Sequence, residues 1–510
     1  MNDHVQSIAR NASVIAGATL LSRVLGFVRD VIIAFALGAG PLADAFFVAF
    51  RIPNVLRRLF AEGSLTMAFV PVFTRIRQDQ GDQAAFALAR STLVWLLLIL
   101  GMIVFIVLIG ARPLTMVIAP GFLKDPEVFS QTVTLVRICF PYILFISGVA
   151  LCMGILNSMG HFLGPALAPC VLNSVLILCA LLGVWSGISV PLALSIGVLL
   201  AGLGQWLLQQ PFLRQQGFLW RGEWSLSDQG VMRMGRLLLP TVLGAAVYQL
   251  NIVLNTVLAS FLPRGSISFL YYADRLVQFP LGVFGVALST AALPSLASLV
   301  AQGRNEEFAE TLNATLRLIL FISLPAMAGL IGLSMPLVEV LFVRGAFDAQ
   351  AAQATAWALV GYGIGLPAFS MVRSLVSAYY ALEDTRTPVV VASGCLVLNL
   401  CLGLVLMQFI GHVGLALAVS AASWANIVLL GSLLRHKLGA WLETSCNPVI
   451  MLGLSVLMGV GCSLTASFGW PALLGIPLWA AGYVLMARLL GLREAQTFIQ
   501  VVNRRLKRAS

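Results

Sequence analysis

The stretch from Ala43 to Val70, "ADAFFVAFRIPNVLRRLFAEGSLTMAFV", is apolar and long enough to cross a bilayer, yet it carries Asp44, Arg51, Arg57, Arg58 and Glu62. A charge at the bilayer centre costs roughly 2.5–3.5 kcal/mol on insertion scales. Asp44, Arg51 and Arg58 recur every seven residues and so share one helix face, with Glu62 one turn beyond. Just upstream, "SRVLGFVRD" adds Arg23, Arg29 and Asp30 to an equally apolar run. Such a stripe cannot face lipid, so it is expected to line a wet internal cavity. Ion pairing with Asp30, Asp44 and Glu62 would neutralise three of the five arginines and leave two positive charges over. Arginine is also chosen over lysine, which occurs only as Lys124, Lys437 and Lys507. Guanidinium is planar, permanently charged and suited to two-pronged contact with phosphate. The pattern predicts an anion site of phosphate or diphosphate type.

A weaker version of the theme recurs in "YYADRLVQFP", where Asp274, Arg275 and Gln278 lie within about one turn. Enzyme signatures are missing: the sequence has no GxxxxGK[ST] phosphate loop, no HExxH and no DxD-type metal pair. A membrane-embedded glycosyl- or phosphotransferase using Asp44 and Glu62 as acid and base is the enzymatic alternative. The eight cysteines form no CxxC pair and mostly sit inside apolar runs, as small packing residues would. The four histidines are too scattered for a metal cluster.

The elements that must carry these charges are membrane helices. The 510 residues are 59% hydrophobic and only 10% charged, with a mean hydropathy of +0.96. Soluble domains carry about 25% charged residues. Apolar runs recur throughout and predict an all-α polytopic membrane protein of about fourteen spans. Pro53 and Gly63 interrupt the second span, where a kink can open a polar site. With the N-terminus inside, seventeen Arg and Lys fall on cytoplasmic segments against four outside (Arg112, Lys124, Arg264 and Arg344). Both termini are therefore expected in the cytoplasm. The net charge of +11 is then a matter of topology, and the tail "NRRLKRAS" an anionic-lipid anchor and no nucleic-acid site.

Two six-helix halves follow one another at a spacing of 223 residues. Pro71 in "FVPVF" matches Pro294 in "ALPSL", Pro113 matches Pro336, and Pro165 matches Pro388. An even helix number per half gives both the same orientation, the parallel-repeat plan of transporters that bind substrate between rocking halves. The expected divisions are residues 1–222, an N-terminal lobe with the cationic cavity; 223–445, a C-terminal lobe; 446–491, helices thirteen and fourteen; and 492–510, a basic tail.

"SRVLGFVRD", "ADAFFVAFRIPNVLRRLFAEG", "YYADRL" and "GVALSTAALPSLA" (285–297) resemble the MurJ (MviN) family of bacterial lipid II flippases, and the similarity runs over essentially the whole chain. The resemblance implies two six-helix lobes, with the last two helices forming a hydrophobic groove. It also implies flipping of lipid II, the polyprenyl-diphosphate-linked cell-wall precursor, to the outer leaflet of the bacterial cytoplasmic membrane. By that resemblance Arg23, Arg29, Asp44, Arg57, Arg58 and Glu62 match cavity positions of the first lobe, and Arg275 an arginine of the second. Gln278 stands where members of the family often carry Glu. Members with a sodium site use acidic residues in the second lobe, where this chain offers Asn251, Asn255 and Asn399. No cofactor is implied; the driving force would be the membrane potential or a monovalent ion. Membrane lipids and cell-wall synthesis enzymes are the further partners it implies. Export of another polyprenyl-linked sugar or of drugs is the alternative transport reading.

Overall fold

A buried aromatic stripe on the third helix shows how the chain packs. Phe69 and Phe73 are fully buried, and Phe69 fits because Gly154 opposite it has no side chain: a Cβ there would lie 2.8 Å from the ring. The computed structural model describes residues 2–60, 64–438 and 447–500, and among them every regular element is a helix. In chain order these are α1 (Asn2–Leu37), α2 (Pro41–Phe60), α3 (Ser64–Gln80), α4 (Asp82–Ile109), α5 (Ala111–Ile118), α6 (Pro126–Cys139), α7 (Tyr142–Ser158), α8 (Leu163–Ser186), α9 (Val190–Gln215) and α10 (Gln229–Ser260). They continue as α11 (Ser266–Pro280), α12 (Val286–Ala301), α13 (Asn305–Gly332), α14 (Ser334–Phe342), α15 (Ala349–Gly363), α16 (Leu366–Ala381), α17 (Arg386–Leu438), α18 (Asn447–Ala466) and α19 (Ile476–Leu489).

The repeat is visible in the elements themselves. α4 and α13 are both 28 residues long, and their first residues, Asp82 and Asn305, stand 223 apart. Each is followed by a separate short helix, α5 and α14, across a break at Gly110 and Leu333. The turn before α8 holds Gly160 at φ 77°, and its counterpart before α17 holds Glu383 at φ 58°. Left-handed backbone is unusual for a residue with a side chain, so a shared turn explains it. The expected single spans 91–118 and 308–341 are thus each a long helix plus a short one. α17 divides in turn at Ile410 and Gly411, whose backbone is non-helical, into two arms.

Eight helices among the described residues are long and apolar enough to cross a membrane, or nine if the bent pair α15–α16 forms one span. The expected spans 42–73 and 266–301 are built differently. α2 carries the charges, and α11 ends in Pro280 and a π-turn, Leu281–Gly285, before α12.

By packing, the chain divides into one unit of residues 1–268 with 344–347 and another of 269–343 with 348–510. The repeat places a boundary after 222, but α10 packs on α2, α3 and α4, and its Met234 enters the core with Phe69, Phe73, Phe86 and Leu151. In the first unit α8 lies against both α1 and α9, and α7 against α3 and α9. The second unit has a core of Leu296, Phe308, Leu312, Leu375, Tyr379 and Leu430. There α18 and α19 pack on α13 through Phe321, Met451, Leu454 and Tyr483. Residues 493–500, placed by the sequence in the basic tail, are helical. Ala495 is buried in that same cluster and Phe498 packs against it, and Glu494 pairs with Arg317 of α13 at 3.5 Å.

Candidate functional site

Arg29 lies on α1 where that helix packs against α8. Its Nε and Nη2 donate to Asp30 Oδ1 at 3.0 and 2.7 Å, and Nη1 donates to Asn173 Oδ1 at 2.9 Å. Asn173 on α8 is itself fixed by donating to the Ser22 carbonyl at 3.0 Å. Both charged side chains are largely withdrawn from solvent, at 11% and 6% exposure. A buried guanidinium needs such a partner and such hydrogen bonds, so Arg29 ties two helices together. Arg23, two turns earlier, is exposed.

On α2 the first half is buried all round from Ala43 to Ala49. Asp44 is 3% exposed, and its two carboxylate oxygens accept from three donors. Gly265 N reaches Oδ2 at 2.6 Å, while Ser268 N and Ser268 Oγ reach Oδ1 at 2.8 and 2.6 Å. These donors stand at the start of α11, where backbone N–H groups lack intrahelical partners and favour negative charge. The sequence groups Asp44 with Arg51 and Arg58 on one face; the structure gives it the use of capping α11.

Arg51, Arg57 and Arg58 are half-buried in the last turns of α2. Arg57 donates through Nε and Nη2 to Asn54 Oδ1, at 3.1 and 2.9 Å, so a neighbour one turn back aims it. Among the described residues Arg23 and Arg58 form no ion pair. Glu62 lies outside the described residues. In the second unit the Arg275 guanidinium stacks 4.7 Å from the centre of the Tyr271 ring, a cation–π arrangement. Gln278 donates to Asp274. The described residues contain no cluster of three His, Cys, Asp or Glu able to hold a metal ion.

Sequence reasoning did not single out Asn173, Ser268 or Asn54. Asn54 was visible, three residues before Arg57. Asn173 and Ser268 are 144 and 224 residues from the groups they hold, and nothing local marks them.

Charged helices set among long apolar ones, in a fold whose elements recur at a spacing of 223 residues, define a polytopic α-helical membrane transporter. The family described as lipid II flippase MurJ matches this chain over residues 33–484. The chain belongs to that family. The matched segment contains Asp44, Arg51, Arg57, Arg58 and Arg275; Arg23 and Arg29 precede it. The probable lipid II flippase MurJ of Vibrio cholerae is 40% identical over 438 residues, 83% of this chain and 82% of that protein. The lipid II flippase MurJ of Burkholderia cenocepacia is 38% identical over 431 residues, 83% of each chain. A solved lipid II flippase MurJ in an inward closed conformation has a TM-score of 0.80 at 26% identity, covering 93% of this chain and 99% of that one. An inward-facing multidrug resistance MATE transporter of the MOP superfamily shares the fold, with a TM-score of 0.68 at 14% identity, over 84% of this chain and 99% of that one.

Proposed function

We propose that this chain flips lipid II from the cytoplasmic to the outer leaflet by alternating access, for cell-wall synthesis, with its diphosphate held by arginines of α1 and α2. The observation that carries this reading is the pair Arg23 and Arg58, two guanidinium groups on helices of the first unit that form no ion pair among the described residues. Arg51 and Arg57 stand on the same helix as Arg58 and add to its positive potential. Arg29, with each of its nitrogens already engaged, serves as scaffold for Arg23.

Export of cationic drugs calls for buried carboxylates open to substrate. The buried carboxylates among the described residues are Asp30, Asp44 and Glu494, and each is engaged: by Arg29, by the start of α11, and by Arg317. That supports an anionic cargo. The excess of basic residues on one set of loops supports both termini lying in the cytoplasm of a bacterial inner membrane. An inside-negative potential then pushes an anion outward by about 2.3 kcal/mol per charge per 100 mV, so transport needs no nucleotide. The polyprenyl tail stays in the bilayer while the headgroup crosses. Membrane lipids and cell-wall synthesis enzymes complete the partners of this reading.

The test is translocation of lipid II by the purified chain in liposomes without ATP. Movement accelerated by an inside-negative potential is expected. Failure to move lipid II in well-folded proteoliposomes would overturn the reading.

A further inference from the structure

Arg90 on α4 is 8% exposed. Its Nε donates to the Leu219 carbonyl at 3.0 Å and its Nη1 to the Glu223 carbonyl at 2.9 Å. Neither partner is a carboxylate, and Arg90 forms no ion pair among the described residues. The same helix holds the segment 216–228, which joins α9 to α10, at two further points. Ser91 Oγ accepts from Ser225 N at 2.9 Å, and Trp95 Nε1 donates to the Leu226 carbonyl at 3.0 Å. Gly222, at φ 138°, lies so close that a Cβ would stand 2.4 Å from Arg90 Nη1. Phe218 is buried in the core of the first unit. The segment is a fixed strap built over a buried arginine.

Its depth follows from α4. A hydrocarbon core of about 30 Å takes about 20 helical residues; counted back from Ile109, these reach Arg90. Exposed apolar side chains on α4 begin at Leu97, so Trp95 and the strap beside it sit at the membrane boundary. There the strap exposes Leu219, Trp224 and Leu226, at 55%, 54% and 48%. Arg214, Arg221, Arg233 and Arg236 are exposed on and beside it. Against them stand Glu223 and Asp228, the latter engaged in capping α10. Apolar side chains that sit among exposed basic ones, at this depth, are the chemistry of an interfacial binding surface for anionic lipid.

We propose that the 216–228 strap is a binding surface for anionic phospholipid headgroups, with Trp224 and Leu226 entering the interface and Arg221 meeting the phosphate. The surface is separate from the arginines of α1 and α2 and does not depend on which cargo they hold. The test uses the full chain with the photocrosslinking residue p-benzoylphenylalanine in place of Ser227, in vesicles of phosphatidylcholine and phosphatidylglycerol in equal amounts. Preferential capture of phosphatidylglycerol is expected. Arg221→Gln, at an exposed position, should lower that capture about five-fold, the equivalent of ~1 kcal/mol for one basic residue at a charged surface. Arg90→Gln should lower it too, by releasing the strap. Equal capture of both lipids, or undiminished preference in Arg221→Gln, would overturn the proposal.

Discussion

Asp44 and Ser268 meet across 224 residues of sequence, and one carboxylate oxygen of Asp44 receives both the backbone N–H and the hydroxyl of Ser268. The other oxygen takes Gly265 N at 2.6 Å. A charge inside an apolar helix is here the cap of another helix.

Asp44→Asn puts an amide NH2 where one carboxylate oxygen accepts, so at least one donor at the start of α11 loses its partner. A buried unsatisfied group costs about 1–3 kcal/mol. The variant should unfold at a lower temperature than the native chain in the same detergent. Unchanged thermal stability would remove the capping role.

Arg29 and Asp30 should behave as one unit. Arg29→Ala leaves Asp30 buried and uncompensated, a loss of the order of 3–5 kcal/mol, and should lower the yield of folded protein. Asp30→Ala combined with Arg29→Ala should recover much of that stability, and a double-mutant cycle on unfolding midpoints measures it. Additive losses would show that the pair is not coupled.

Arg58→Ala should insert and fold normally yet fail to translocate lipid II in liposomes. Arg58→Lys should keep part of the activity, because an ammonium replaces the charge but not the two-pronged geometry. Full transport by a well-folded Arg58→Ala protein speaks against the anion site.

Arg275→Ala should slow transport while leaving most lipid II affinity, whereas Arg23→Ala should weaken binding itself. Arg23, Arg29, Arg51, Arg57 and Arg58 stand on α1 and α2, whereas α10, α11 and α12 hold only Arg275 between Leu237 and Ala301. Affinities for the two variants decide it: equal losses would contradict a substrate site centred on the first unit.

Outside the spans, Asp384 accepts from Lys437 Nζ and from Thr387 N and Oγ. The Lys437 hydrogen bond, then those of Thr387, hold its carboxyl well below the ordinary carboxylate range. A carboxyl depressed on folding stabilises the protein above its unfolded pKa of about 4, and that contribution is lost as pH falls further. Lys437→Met should therefore lower the unfolding temperature at neutral pH and have less effect in strong acid. A difference between native and variant that stays constant down through that range would refute the linkage.

What the sequence made legible was whatever local chemistry announces. Prolines 223 residues apart marked the repeat because Pro punctuates helices wherever it falls, and α4 and α13 keep that spacing to the residue. The charges on α1 and α2 stood out against their apolar surroundings. Their division of labour did not, because it depends on partners such as Asn173 and Ser268 that only folding brings near. Arg90 was hidden for the opposite reason: it counts in sequence as one more basic residue at a span's edge, and only its burial under the strap distinguishes it. The breaks at Gly110 and Leu333 escaped detection because hydropathy stays high across them.

The two copies of the repeat have settled the same packing problem in opposite ways. Phe73 and Ala85 occupy one buried cluster of the first unit, and the positions 223 further on, Leu296 and Phe308, occupy the matching cluster of the second. The aromatic ring sits on α3 in one copy and on α13 in the other, where α12 keeps Leu296. An exchange of single helices between the copies would therefore bring Phe73 and Phe308 into one cluster and leave Leu296 with Ala85 in the other. The halves are alike in plan but not interchangeable in parts, so a change in either cluster must be answered by its own neighbours.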